Sequence, residues 1–563
     1  MSRTIGYVLL ALPLYACSAA EYRAEADEEV YEIIETAAQH VTGEAKVVSI
    51  DRPESTLRSR LEEDPSLEVE LDLPGSLDVA AENSRDFQSR KERLYLVSLS
   101  LTAVRDDYLF NFTGSNDDTV SGVGDDSGSL SIRNDLFASR NTEAGGRVVA
   151  SFVNTFLKDI VQGGSFNGAS VLGLTFTQPL MRGFGKRIAR EPLTQAERNV
   201  IYEMRSYERY RATFSVQIVS EYLRLLQSIQ DLENVEANLE STRKDRERVE
   251  SLVEASELTP VDLDRARQSE FIAEDRLNNA KADLEASFDS FKLTLGLPTE
   301  ASITLDPTEL ERLQAVTVTP IELAETTAVG LALLRRYDYR TVVDDVEDAA
   351  RGVIVAEDAL RSALDFSSAV SVPTDPGNPL KFDWSQVGWS AGFNLDFALD
   401  RLPERNAYRS SLISLDVAMR NREQLEDGIK SDVRDAIRTI NRSYTSYQIQ
   451  DEATRQAVVR RDRAELFLEA GRGNYLDLVD AQDDLLTNQI ALTGATVNYA
   501  LARLRLVRDL EGLILEPQGL RYDPALPLPE GPLSEGALPG SPPSGEASTP
   551  ASSEDQEGQG EKR

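Results

Sequence analysis

The feature that most constrains this chain is a break between two helices. Residues 467–510 read FLEAGRGNYLDLVDAQDDLLTNQIALTGATVNYALARLRLVRDL. A helical run reaches Ala470, Gly471-Arg472-Gly473 follows, and Asn474 opens a new apolar period. Glycine just past a helix supplies the left-handed residue that ends it. Asn474 is suited to cap the next helix, with Asp477 facing the free N–H groups and positive dipole of its first turn. Beyond the cap, Ile490, Thr493, Val497, Ala500, Leu504 and Val507 recur at steps of three and four. That is the seam of a long supercoiled helix, which must find something to bury it.

An earlier stretch has the same design. A helix without a breaker runs from Pro192 to about Ala255, with Ile218, Tyr222, Leu225, Ile229 and Leu232 as its heptad seam. Some sixty residues at a rise of about 1.5 Å give a rod on the order of 90 Å long. It ends at Ser256-Glu257-Leu258, where Thr259 can cap, Pro260 suits the first helical position and Asp262 lies three residues after the cap. The return helix stops at Gly296-Leu297-Pro298.

Each rod follows a segment with period two. In the first unit a helix from Leu77 gives way to alternation at Tyr108, Phe110 and Phe112, and a second run alternates at Leu172, Leu174 and Phe176. In the second unit a helix from Leu323 precedes Leu364, Phe366, Val370 and Val372, then residues 387–399, the cleanest alternation in the chain. Period two means strands with one apolar and one polar face. Between the first pair, residues 114–168 are rich in Gly, Ser and Asp and read as a solvated loop. That loop accounts for a first unit about thirty residues longer than the second, counted from residue 77 to 262 and from 323 to 477.

The expected domains are a signal peptide (1–16), an acidic leader without much order (17–75), a first repeat (76–298), a linker (299–322), a second repeat (323–515) and a disordered Pro/Gly/Ser/Glu-rich tail (516–563). The fold class expected is mainly α with a membrane β-barrel, built from long coiled-coil hairpins and four strands per chain.

Composition narrows the function. The formal net charge of −36 makes nucleic acid a poor partner. One His and one Cys leave little room for Ser–His or Cys–His catalysis, a His-ligated metal or a disulfide. No cofactor and no enzyme activity are expected. The chain opens with Arg3 and an apolar run, and Cys17 follows Leu14-Tyr15-Ala16, similar to a bacterial lipobox and so a candidate lipidation site. No later run approaches the roughly 20 apolar residues of a membrane helix. A span must then be made of strands, and four strands cannot close a barrel, for which about eight are needed. Copies must therefore assemble; three would give twelve strands. The competing architecture is a lipid-anchored trimeric coiled coil, a scaffold or adhesin without a pore, which has no use for the apolar alternation of residues 387–399.

Over residues 75–515 the chain resembles the TolC-like outer membrane efflux protein family. The resemblance is carried by Leu77 and Leu323, by the run Thr177-Gln178-Pro179-Leu180-Met181-Arg182-Gly183-Phe184-Gly185, by Gly471, Asn474, Tyr475, Asp477, Leu478, Asp480, Ala481 and Gln482, and by Leu258, Thr259, Pro260, Asp262, Leu263 and Ala266. It implies a homotrimer whose barrel lies in outer-membrane lipid and whose helices form a periplasmic tunnel, working with a periplasmic adaptor (membrane fusion) protein and an inner-membrane transporter in tripartite efflux or type I secretion. Asp477 and Asp480 then match acidic positions of the entrance, and Asp262 a position that holds it shut. The tips, with Ser256, Leu258, Thr259, Gly471, Asn474 and Tyr475, match the adaptor-docking surface. Asp107, Asp365, Asp396 and Asp400 would line the barrel lumen. Ser256 stands where the family usually has Gly, and Leu468 and Gly473 stand where its latching Tyr and Arg would be.

Overall fold

The computed structural model describes residues 18–526, apart from 47, 54, 124–126, 160–165, 316–319, 376 and 517–518. Cys17, the signal segment and residues 527–563 of the tail lie outside the described residues.

The chain begins with α1 (Ala19–Thr42), capped by a reciprocal Ser18–Glu21 pair. Then come α2 (Leu57–Glu63), β1 (Glu68–Leu71), α3 (Leu73–Asn83) and α4 (Arg85–Asp106). Four strands follow, β2 (Asn111–Val123), β3 (Ser127–Asn141), β4 (Arg147–Asp159) and β5 (Asn167–Pro179). A short α5 (Lys186–Ala189) leads into α6 (Glu191–Glu254) and the return helix α7 (Pro260–Leu295). After β6 (Ser302–Leu305), α8 (Thr308–Ala315), α9 (Glu325–Arg335) and α10 (Tyr337–Ala359), the strands β7 (Ala363–Pro373) and β8 (Gly388–Asp396) feed α11 (Leu402–Glu469) and α12 (Tyr475–Asp509). The hairpin β9 (Leu513–Glu516) and β10 (Gly519–Tyr522) closes the described chain.

The helices α6 and α11 hold 64 and 68 residues, or roughly 100 Å each. Their pairing with α7 and α12 follows the expected seams. Ile218, Tyr222 and Leu225 are buried, as are Thr493, Val497, Ala500, Leu504 and Val507. Pro192 and Pro403 occupy the first turns of α6 and α11, where a missing N–H costs nothing. One cluster, centred on Tyr222, Phe291, Leu295, Val497 and Leu504, joins the helices to the parallel pair β1–β6 and to β10.

Four expectations are corrected. The acidic leader is ordered where it is described: Val30, Ile33, Ile34, Ala37 and Ala38 of α1 pack on Leu94 and Leu101 of α4 and on Val200 and Met204 of α6. The stripe exists in the sequence but is diluted by the acids of the solvent face. The tail keeps structure beyond residue 516, since β10 pairs with β9 and Leu520, Tyr522 and Leu526 are buried. Two of the expected lumen aspartates are off the strands: Asp107 ends α4, and Asp400 follows β8 and accepts a bond from the Leu402 N–H (3.1 Å) at the start of α11. Short polar side chains beside a helix end favour such caps.

The largest correction concerns strand number. Residues 114–168 are not one loop. They carry most of β2, all of β3 and β4, and the turn between those two, giving a sheet of six strands in the order β2-β3-β4-β5-β7-β8, antiparallel throughout. The alternation of β2 is hidden because its apolar side also carries Gly114, Asn116 and Asp118. A backbone ladder forms regardless of these side chains, because it uses only N–H and C=O groups.

The register sorts the sheet into two faces. One carries Phe112, Leu136, Ala138, Val148, Ala150, Phe152, Leu172, Leu174, Phe176, Leu364, Phe366, Val370, Val372, Trp389, Phe393 and Leu395 in cross-strand rows. A polar row, Asn116-Asn134-Asn154-Ser170, bounds it at the end away from the helices, with Asn116 donating to Asn134 (2.8 Å) and Asn154 to Ser170 (2.6 Å). From Leu364 to Val372 the apolar band is eight residue steps along the strand, roughly 27 Å. The opposite face is mostly small and polar, with Thr113, Ser115, Ser139, Ser151, Thr175, Thr177, Ser367, Ser371, Ser390 and Asn394, and carries a few apolar residues, Phe137, Val149, Val153 and Val171.

Candidate functional site at the paired helical tips

The two helical turns come together at the end of the rods remote from the sheet. The first is tight: Ser256 adopts φ 64°, a left-handed conformation that a side chain adopts at a cost. The second uses Gly471 at φ 64°, and Gly473 lies so close to Phe467 and Leu468 that a Cβ would come within 3.0 Å of their backbone. Each return helix is capped as its residues dictate. The carboxylate of Asp262 accepts from the Thr259 N–H (3.1 Å) and hydroxyl (2.6 Å) and lies 3.6 Å from Arg265. Asn474 accepts from the Leu476 N–H (3.2 Å).

A small apolar cluster joins the tips: Val249 of α6, Ala266 of α7, Leu468 of α11, and Tyr475 and Leu478 of α12, with Leu258 and Leu263 at its edge. Polar bridges surround it. Arg248 reaches Glu465 and Glu469 (3.5 and 3.6 Å), Arg276 binds Asp483 (2.6 Å), and Gln482 donates to Asp245 and to Ser241 (3.2 Å). Burial pushes the Asp245 carboxyl above the usual range, with the Gln482 hydrogen bond acting in the opposite direction. These bridges were not foreseen. Their only sequence signal is charge at helical spacing, which surface helices also have.

The candidate residues fall into distinct groups. Ser256, Thr259, Gly471 and Asn474 are exposed at the tips and Leu258 is half-buried. Tyr475 is 1% exposed and its hydroxyl has no hydrogen-bond partner. It locks one tip to the other and leaves no surface for a partner. Asp477 and Asp480 are exposed, lie one turn apart and make no ion pair among the described residues, whereas Asp483 and Asp484 further along α12 are bound to Arg276 and Arg460. Asp262 is engaged by its cap and by Arg265. Asp365 and Asp396 lie far from the tips, on the polar face of the sheet, opposite Asn394 and Ala363.

At the sheet end, the run from Thr177 to Gly185 forms the strand-to-helix junction. The Gly183 N–H donates to buried Asp358 of α10 (2.6 Å), a positioning residue the sequence did not single out. Among the described residues no group of His, Cys, Asp and Glu is arranged to hold a metal ion.

No protein-family model matches the chain, and neither does any curated protein. Solved structures do match. The Campylobacter jejuni CmeC outer membrane channel aligns with TM-score 0.59 at 13% identity, over 78% of this chain and 85% of that one. The outer membrane protein VceC from Vibrio cholerae aligns with TM-score 0.58 at 17% identity, over 78% and 95%. The open state of the Neisseria gonorrhoeae MtrE outer membrane channel aligns with TM-score 0.55 at 13% identity, over 78% and 88%. At these identities the likeness is one of fold.

Proposed function

We propose that this chain, which has the fold of the TolC-like outer membrane channels, is itself an outer membrane channel: the exit duct of a tripartite efflux or type I secretion system. The observation that carries this reading is the sheet. Its apolar face is largely open to solvent, with Trp389, Phe393 and Phe112 at 79, 70 and 80% exposure, and its apolar band, tilted as barrel strands are, stands roughly 20 Å tall, near the roughly 25 Å of outer-membrane barrels. No described helix is long and apolar enough to cross a membrane, so the strands are the part suited to lipid. Helices of roughly 100 Å then extend from the membrane as a periplasmic tunnel.

In this reading the protein is a homotrimer, anchored in outer-membrane lipid and through Cys17 if that residue is acylated. The tips meet a periplasmic adaptor through Ser256, Leu258, Thr259, Gly471 and Asn474, and the adaptor joins the duct to an inner-membrane transporter. Asp365 and Asp396 line the barrel lumen. Transport is passive: the chain supplies a path, and the transporter supplies the energy. Asp477 and Asp480, exposed and without a Lys or Arg partner among the described residues, form rings of carboxylates when copies are related by a rotation axis. Such rings lower the barrier to cations and raise it to anions. Asp262, held by its cap, contributes to the rigidity of the tip.

The test is single-channel conductance of purified protein in a planar bilayer, beside an Asp477→Asn/Asp480→Asn variant. Discrete, cation-selective openings with selectivity weakened in the variant support the channel and its acidic entrance. Openings of unchanged selectivity remove the aspartates from the entrance. Inserted protein that never conducts, even with its tips cross-linked open, refutes the channel.

A further inference from the structure

The sheet has two free edges, and they complement one another. Because it has six antiparallel strands, β2 and β8 run in opposite directions. Apposing them from two copies extends the same antiparallel ladder. Their apolar side chains lie on the same face: Phe112 on β2; Trp389, Phe393 and Leu395 on β8. Both strands meet the helices at the same end of the sheet, β2 through Asn111 after α4 and β8 through Asp396 before α11. β8 is exposed along its whole length, and β2 at every residue after Asn111 up to Val123. Neither carries a Lys, a Pro or a bulge, devices with which soluble sheets blunt an edge, and the charges of β2, Asp117 and Asp118, lie beyond the Asn116 row that bounds the apolar band. Open edges are not tolerated in lipid, and six strands are too few to close alone.

The strands β3 and β4 are full members of this wall. They cross the whole apolar band, with Leu136, Ala138, Val148, Ala150 and Phe152 in its rows. Their shared turn is fixed to the helix end of the sheet. Glu143 pairs with Lys186 (2.6 Å), the Ala144 carbonyl accepts from Gly185 (3.1 Å) and Gln178 (3.1 Å), and Gly145, at φ 89°, is so close that a Cβ would meet the Gly183 carbonyl at 2.4 Å. A hairpin anchored there and running the height of the band is not an appended surface loop.

We infer that β2 of one copy pairs with β8 of the next, closing a ring of six strands per copy. With the three copies of the proposed function, on which this inference rests, the barrel has eighteen strands where a four-stranded unit would give twelve. The interface is head-to-tail, and rotation closes it. Barrel diameter grows roughly linearly with strand number, so the lumen is roughly half as wide again as that of a twelve-stranded barrel, in the size range that holds an aqueous channel. Its lining is mostly small, with Ser, Thr, Gly and Ala at most positions and Phe137 as its one aromatic ring among the described residues near the band, which leaves most of that width open. The duct is therefore suited to bulky cargo at the outer membrane, with selection left to the narrower tips.

The test pairs Phe112→Cys with Ala391→Cys, Phe393→Cys or Leu395→Cys in the full chain, with the single variants as controls. At least one pair is expected to give a reductant-sensitive ladder of covalent dimers and trimers after oxidation in membranes. Cryo-electron microscopy of the uncross-linked trimer in nanodiscs is expected to count eighteen strands. The inference is overturned by an intact trimer that conducts ions but cross-links in none of the three registers and shows a barrel of any other strand number; the channel reading survives that result. Protein that neither inserts nor conducts overturns both.

Discussion

Single residues decide how rigid the tips are. The family resemblance expects Gly at the first tip, and the backbone agrees, since Ser256 holds φ 64°. A side chain in that region costs about 1–2 kcal/mol, part of which Gly gives back through its looser unfolded chain. Ser256→Gly is expected to stabilise the α6–α7 hairpin by about 0.5–1 kcal/mol, read as slower amide exchange at residues 252–262 with the rest of the rod unchanged. A second residue works against stability along the rod. Asp231 of α6 has one carboxylate oxygen buried without a partner, and burial raises its pKa to about 6, opposed only by Gln227. A carboxyl whose pKa is raised on folding gives its full stability below the unfolded value and loses it as pH climbs through the folded one. Asp231→Asn is therefore expected to raise the melting temperature at pH 7.5 and to give no gain at pH 4, with the difference opening between those limits. An unchanged difference across that range would assign the effect to packing. Capping at Thr259, Asp262 and Asn474 was legible in the sequence because caps are local. The burial of Tyr475 was not, because it depends on a hairpin more than two hundred residues away.

At the scale of elements, legibility followed chemistry. The rods α6, α7, α11 and α12 announced themselves through seams of Ile, Leu and Val, and β8 through a strict alternation of large apolar residues with small polar ones. The strands β3 and β4 did not. Ser and Asn between them interrupt both faces of β3, and β4 sets Val149, Val153 and Leu157 on the face opposite Val148, Phe152 and Phe156, so neither shows a clean period of two; pairing with β2 and β5 is what defines them. The leader shows the same limit. Five apolar residues of α1 form a narrow stripe among acids, and its value appears only with α4 and α6 beneath it. Ile34 is fully buried there. Truncating such a residue costs about 2–5 kcal/mol, so Ile34→Ala is expected to lower the melting temperature of the detergent-extracted protein by several degrees. Glu35→Ala, on the exposed side of the same turn, is expected to change it by less than one degree. Equal effects from both would mean that α1 does not pack as described and that the leader is a spacer.

At the scale of the whole molecule, two environments meet along one chain. The rods bury their seams in helix partners and leave charge to water, while the sheet leaves most of its apolar face uncovered; Phe382 of the β7–β8 connection reaches only its outer end, against Phe152. Soluble monomers rarely keep fourteen large or medium apolar side chains in cross-strand rows on one largely open face. The arrangement suits apolar surroundings, and in the proposed channel lipid meets one face and water the other, a division with the resolution of a single residue. Trp389 and Ser390 are neighbours on β8 and point to opposite faces. Lysine on the lipid face costs up to about 2–4 kcal/mol in a barrel, most at mid-bilayer and less toward the interfaces, whereas the lumen face is already wet; Trp389, opposite Val370, lies between the middle of the band and its outer edge. In a trimer every such cost recurs three times. Trp389→Lys is therefore expected to reduce assembly into outer-membrane fractions, and Ser390→Lys to assemble normally and shift conductance toward anions. If Ser390→Lys fails to assemble while Trp389→Lys succeeds, the faces are reversed. If both assemble equally, the sheet is not in lipid and the duct ends short of the membrane.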